Sequence, residues 1–236
     1  MNLILLQTQD FVTDETVNIS DSRHAQIREI HGSSVGDSVR VGKIGGLMGE
    51  GIITAIDEKS VQLKISLTAM PPEKLPLTLV LALPRPKMLR RILRTTAELG
   101  VAELHLINSH RVEKSFWQTP VLEEKTIEQY LLQGLQQAKD TVLPKVHLHQ
   151  RFKPFIEDDF PTLIKNKKAL LAHPNTDSAC PHCIDQTTVL VVGPEGGFIP
   201  YEVEKILDAG CEGIHLGQRI LRVENAVNVL VAKLFS

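Results

Sequence analysis

Aromatic residues are scarce in this 236-residue chain: seven Phe, two Tyr and one Trp make up 4% of it. It has only three cysteines and almost no excess of either charge, with 26 Lys and Arg against 28 Asp and Glu. Long apolar runs are missing altogether. Each shortage excludes something. A bilayer crossing needs roughly 18–20 consecutive apolar residues, so no membrane partner is expected. Three cysteines do not frame a disulfide-stapled domain. Residues 1–6 are apolar but short, with no basic flank and no small-residue cleavage site, and do not read as a signal peptide. Reduced thiols in the cytoplasm are therefore expected. A formal net charge of −2 excludes a uniformly basic nucleic-acid binder and leaves room for a local basic patch. What is present, 42% hydrophobic and 23% charged residues, belongs to a globular chain long enough for a small domain and a medium one.

The first 70 residues carry short β-rich runs at 2–6, 16–19, 38–43, 51–56 and 61–66, with one short helix over 22–30. Asp57-Glu58-Lys59 reads as a hairpin turn. Such regular spacing predicts a small barrel. Pro71, Pro72 and Pro76 then stiffen a linker over 71–76, dividing residues 1–70 from a second domain over 77–236. The texture changes after it. Apolar strands at 77–83, 103–107, 145–149, 169–172, 189–192 and 213–216 alternate with helices at 87–99, 121–140, 200–209 and 223–235. This is the pattern of an α/β domain, a mostly parallel sheet covered by helices on both faces. The last helix has almost no polar face, so it is expected to be buried in the domain or against a second subunit.

Four features carry candidate chemistry. Lys87, Arg90, Arg91 and Arg94 recur at i, i+3, i+4 and i+7 and share one helix face, joined by Arg85, with no acid between residues 84 and 97. Such a stripe is either a solvated face or a phosphate-contacting one. Cys180-Pro181-His182-Cys183 is open to three readings: a redox pair, half of a metal site with Cys211, His173 or His182, or loop thiols without a role. The pattern lacks a second paired motif, and no metal site is expected. Gly193-Pro194-Glu195-Gly196-Gly197-Phe198 follows an apolar strand and leads into a helix, where α/β sheets bind ligands. It is neither a Walker loop nor a Rossmann fingerprint. Leu216-Gly217-Gln218-Arg219-Ile220-Leu221-Arg222 repeats that strand-to-helix placement. Two such loops on neighbouring strands line one site, and their glycines, apolar pair and few charges suit an adenosine-type cofactor better than a triphosphate.

At these two loops the sequence resembles the RsmE-type ribosomal RNA methyltransferases of the SPOUT superfamily. The resembling stretches are Gly193 to Phe198 and the run from Leu216 through Glu224 to Ala226. Glu98-Leu99-Gly100-Val101, Leu171-Ala172-His173-Pro174, and His24 with Val35-Gly36-Asp37 extend the similarity over nearly the whole chain. The resemblance implies a PUA-like β-barrel followed by a trefoil-knot domain that dimerises through apolar helices. It implies S-adenosyl-L-methionine as cofactor and 16S rRNA or the small ribosomal subunit as partner. The implied reaction is methylation of uridine N3, at uridine 1498. Carried onto this chain, the cofactor set is Leu171, His173, Gly193, Pro194, Glu195, Gly196, Gly197, Leu216, Gly217, Ile220 and Leu221. Arg222, with Arg219 as its backup, would stabilise the developing uridine anion, while Glu195 acts as base or orients the loop.

The sequence also departs from the family pattern. Asn225 stands where the family has Thr, and Gln136 to Thr141 replaces a family Glu-Gln-x-x-x-Arg run. Ile30-His31-Gly32 replaces Val-Leu-Arg, so that Arg23 or Arg28 takes the place of an RNA-contacting arginine, beside Arg85, Lys87, Arg90, Arg91 and Arg94. These departures also leave open an RNA-binding paralogue with a different RNA target or, as Asn225 suggests, without transfer activity, the latter failing to bind the cofactor.

Overall fold

Alternation sets the first sheet. Along the strand Val61–Ala69, Val61, Leu63 and Ile65 are buried while Lys64 and Ser66 face water. In the computed structural model, which describes residues 2–30, 32 and 34–235, six such strands pair: β1 (Ile4–Leu6), β2 (Phe11–Thr13), β3 (Thr16–Ile19), β4 (Ser38–Lys43), β5 (Met48–Ile56) and β6 (Val61–Ala69). Their order is β1-β4-β5-β6-β3-β2, antiparallel apart from β1 on β4. The sheet curls as a half-barrel around a core that includes Leu6, Val17, Ile19, Ile27, Val41, Ile53 and Leu63. Gly49 permits the close approach of β5 to β6, since a Cβ there would lie 1.8 Å from the Ser66 carbonyl oxygen. Asp57 closes the β5–β6 turn by accepting from the amides of Lys59 (2.7 Å) and Ser60 (2.8 Å). These bonds hold its carboxyl below the ordinary carboxylate range. The expected helix at 22–30 is one α turn, α1 (Ser22–Ala25), running into a π turn over Gln26–Ile30. Gly32, where a family arginine is replaced, is exposed with φ +57°, and its neighbour His31 lies outside the described residues.

The compact unit built on this sheet takes Met1–Glu73 and also Leu132–Leu143. That second segment falls inside the stretch expected to belong wholly to the other domain. Its attachment is explicit. Thr141 Oγ1 donates to the Gly46 carbonyl at 2.6 Å, Gly45 N donates to the Thr141 carbonyl at 2.8 Å, and Asn2 Nδ2 donates to Gln137 at 3.0 Å. Linear composition carries no sign of such long-range stitching.

The other unit, Lys74–Leu131 with Pro144–Ser236, is built on a seven-stranded, fully parallel sheet. Its strands are β7 (Leu75–Ala82), β8 (Val101–Ile107), β9 (Lys145–His149), β10 (Lys168–Ala172), β11 (Ser178–Ala179), β12 (Thr188–Val192) and β13 (Glu212–His215), in the order β11-β13-β10-β12-β7-β8-β9. Every residue of β12 is buried, as a parallel strand covered on both faces requires. The helices are α2 (Pro86–Glu98), α3 (Glu124–Ala138, which passes into the first unit's segment), α4 (Phe152–Pro154), α5 (Phe160–Ile164), α6 (Pro200–Asp208) and α7 (Val223–Phe235). Among the described residues, no helix is long and apolar enough to cross a membrane.

Two expectations about helices change. The α4–α5 region has no counterpart in the sequence reading, because Pro154 and Pro161 interrupt its pattern; it is anchored instead by buried Phe155, Ile156 and Phe160. In α7, Val227, Leu230, Val231 and Leu234 are buried, but Val229 is 38% exposed and Ala232 is exposed. All-round burial is thus not achieved within one chain. At the opposite edge of the sheet, burial pushes His105 of β8 down to about 4 and holds His149 of β9 below the ordinary imidazole range, so both rings are neutral near pH 7.

Candidate functional site

The carboxyl ends of β10, β12 and β13 open into one cavity of about 1360 Å³ within the second unit. This is where a parallel sheet presents loops and no side chain of the strand itself blocks access. Both loops singled out in the sequence line it. In the first, Gly197 has φ +73°, a left-handed conformation that L side chains rarely adopt, and its N–H donates to the Pro194 carbonyl at 2.8 Å. A Cβ on Gly193 would press on the Phe198 ring at 3.2 Å, so the loop folds tightly over a buried aromatic and turns bare backbone toward the cavity. In the second, Gly217 has φ +101° and its N–H donates to His215 Nδ1 at 3.0 Å. Beyond it Ile220 is 83% exposed on the cavity rim.

His173, Gly193, Pro194, Glu195, Gly196, Gly197, Leu216, Gly217, Ile220 and Leu221 all line this cavity, as do Arg219 and Arg222. Leu171 does not. It is wholly buried in the middle of β10, and the lining from that strand comes from Ala172, His173 and Pro174. The His173 ring is held below the ordinary imidazole range by burial, and its Nδ1 accepts from the Asn175 amide at 3.2 Å. Arg222 and Arg219 are exposed and make no ion pair among the described residues, which leaves both guanidinium groups available to an anion. The Glu195 carboxylate accepts from the Arg85 amide at 3.0 Å, at the residue that opens α2. That contact ties the glycine loop to the start of the basic helix.

Sequence reasoning missed two residues that hold this loop from behind. Arg111 donates through Nη1 to the Gly196 carbonyl, and a Cβ on Gly196 would meet the Arg111 side chain at 3.1 Å. Glu202, only 2% exposed, accepts from His110 N at 2.7 Å and from Ile199 N at 3.1 Å. It thereby joins the loop after β8 to the first turn of α6. The spacing from Ile199 to Glu202 is that of a capping acid three residues into a helix, a pattern too common in sequence to single the residue out. Nothing there marked Arg111.

The basic residues divide. Arg85, Lys87, Arg90 and Arg91 are exposed on and before α2, and the first two reach the cavity rim. Arg94 is half-buried with its guanidinium 4.8 Å from the Tyr130 ring centroid, so the stripe is shorter than expected. In the first unit Arg28 is exposed on the π turn. Arg23 contradicts its expected RNA contact. Its side chain is 9% exposed, and the guanidinium is consumed by both carboxylate oxygens of Asp10 (2.6 and 2.8 Å), the carboxylate of Asp21 (2.6 Å) and the Leu5 carbonyl (2.6 Å). The cysteines are equally plain. Cys180 and Cys211 are buried, which raises both thiols, Cys211 to about 12, while Cys183 is exposed in the loop.

A family model described as RNA methyltransferase domain matches residues 71–234. The chain is 28% identical to ribosomal RNA small subunit methyltransferase E of Treponema pallidum over 236 residues, covering 96% of this chain and 87% of that protein. It is 30% identical to the Mesomycoplasma hyopneumoniae protein of the same name over 158 residues, 66% of this chain and 67% of that one. Among solved structures, a small subunit methyltransferase E from Neisseria gonorrhoeae bound to S-adenosyl methionine aligns at TM-score 0.75 and 18% identity, covering 98% of this chain and 95% of that chain.

Proposed function

This chain belongs to the RNA methyltransferase family, with a PUA-like half-barrel ahead of a SPOUT trefoil-knot domain, and on that premise we propose that it methylates N3 of uridine 1498 in 16S rRNA. It is an S-adenosylmethionine-dependent rRNA methyltransferase. One observation carries the reading: both glycine-bearing loops and two unpaired arginines line a single cavity at the carboxyl ends of β10, β12 and β13.

The residues present fit the cofactor. The backbone of 193–197, pressed against Phe198 and Arg111, leaves a cradle of peptide groups, and Val192, Ile214 and Leu230 supply apolar walls. A cavity that is largely apolar with a few convergent polar groups is what an adenosine moiety requires. When bound, S-adenosylmethionine supplies an electrophilic methyl group. His173, the 193–197 loop, Leu216, Gly217, Ile220 and Leu221 hold it. Arg222 faces the uridine, where its guanidinium stabilises the negative charge that develops as N3 gives up its proton to solvent water, with Arg219 in support. Glu195 serves by fixing the loop through the Arg85 amide. Arg85, Lys87, Arg90, Arg91 and, on the first unit, Arg28 contact RNA phosphates, which position the substrate and carry no sequence information.

Dimerisation through α7, which leaves Val229 and the loop residue Ile220 exposed in the single chain, completes the proposal, as does a cytoplasmic location. Mass-spectrometric mapping of 16S rRNA from a deletion strain tests it. Loss of N3-methyluridine at the target, restored by the wild-type protein and not by Arg222→Ala, is the expected result. Intact N3-methyluridine in the deletion strain would defeat it.

A further inference from the structure

On β8 and β9, at the other end of the strand order from β13 and β10, three potential ligands face one another. His105 of β8 stands directly opposite His147 of β9, and Glu103 lies two residues earlier on the same face of β8. Glu103 Oε1 is 2.9 Å from His147 Nε2 and 3.4 Å from His105 Nε2, and all three ligand atoms lie within 4.8 Å of one another. An ion held tetrahedrally at about 2.0–2.1 Å by nitrogen and oxygen ligands spaces those ligands about 3.3–3.4 Å apart. The set is already close to that spacing, and His147, 44% exposed, has the freedom to close the rest.

His105 is the independent sign of a ligand. Its side chain is 9% exposed, and its Nε2 is buried without a hydrogen-bond partner. His105 Nδ1 shares a hydrogen bond with His149 Nε2 at 2.9 Å, and His149 Nδ1 lies 3.5 Å from Asp159 Oδ2. His105 Nε2 is turned toward the Glu103 carboxylate at 3.4 Å without completing a hydrogen bond to it. A buried ring nitrogen so placed is costly unless a ligand completes its bonding. A second ring and a carboxylate behind the first ring are the kind of outer shell that orients a metal-binding histidine.

We propose that Glu103, His105 and His147 form a zinc-class divalent metal site that clamps the edge strand β9 to β8. Two imidazoles and a carboxylate suit this class of ion, and three protein ligands leave a fourth position open to water on the exposed side.

The test uses untagged full-length protein, stripped with a chelator and titrated with cobalt(II) alone. The expected result is one cobalt per chain, with visible absorption of tetrahedral intensity that zinc(II) abolishes by displacement. Zinc also raises the melting temperature. His147→Ala changes an exposed strand residue and keeps the fold, yet weakens cobalt binding by more than about 100-fold; Glu103→Gln weakens it as well. Absence of saturable binding at millimolar cobalt overturns the proposal. So does binding that His147→Ala leaves intact, or that Cys183→Ser removes, because the ion would then sit on the cysteine loop.

Discussion

Replacing Arg23 by alanine should cost the half-barrel a large part of its stability. Arg23 makes a two-pronged bond to Asp10, whose side chain is 5% exposed, at 2.6 and 2.8 Å, and satisfies the Leu5 carbonyl at 2.6 Å. Without the guanidinium, Asp10 keeps one donor, the Gln7 amide at 2.7 Å, and becomes an uncompensated buried charge. Breaking a buried pair this way costs about 3–5 kcal/mol. Asp21 is 46% exposed, so its share of the loss is below about 1 kcal/mol. Against a typical domain stability of about 5–15 kcal/mol, this loss lowers the urea midpoint sharply and unfolds a large fraction of the barrel where its stability lies at the low end of that range. Urea unfolding followed by far-ultraviolet circular dichroism reads the barrel, and fluorescence of the single tryptophan, Trp117 in the other unit, serves as control. Arg23→Met combined with Asp10→Leu should recover much of the loss, because it removes both charges together. The reasoning is refuted if Arg23→Ala shifts barrel stability by less than about 1 kcal/mol while lowering RNA affinity, for then the guanidinium would be reaching RNA.

Three further outcomes are expected. The hydrogen bond from Arg23 holds the Asp21 carboxyl below its ordinary 3.8, so its contribution is complete above that value and lost as pH falls through the lower folded one; acid titration of Arg23→Ala should lack this step. If Glu195 orients the loop, Glu195→Gln keeps kcat within about threefold, whereas loss of a general base costs about 100-fold or more, and steady-state kinetics decides. Arg111→Ala removes the bond to the Gly196 carbonyl and should weaken cofactor binding about 3–10-fold in calorimetry, with the melting temperature unchanged.

Much of the second sheet was legible because its strands are apolar throughout. The expected strand at 145–149 and helix at 223–235 match their observed bounds, and most others shift by one or two residues at their ends. The losses have physical causes. Pro154 and Pro161 broke the pattern over a region that folds on three buried side chains instead. Residues 132–143 look like the tail of a helix in sequence, and only their hydrogen bonds to Gly45 and Gly46 reveal which core they serve. Arg23 was misread because a basic residue in sequence carries no record of Asp10 and Asp21, which use up its donors.

The candidate site was legible where glycine was required and hidden where ordinary side chains do the holding. Gly197 and Gly217 advertise themselves, since their positive φ excludes most alternatives. Arg111 and Glu202 do not, because an arginine after a strand and a glutamate in a first helical turn are common at many positions. Yet these two set the loop's rigidity. Glu202 binds the backbone at Ile199 and His110 together, and Arg111, the next residue, reaches back to Gly196. The glycines let the chain approach a ligand, but by themselves they would leave 193–197 free to sample many conformations, each a cost against binding. A buried carboxylate with two backbone donors and an arginine on the loop carbonyl remove that freedom before any ligand arrives. The motif and its supports are therefore one device, of which only the motif has a sequence signature.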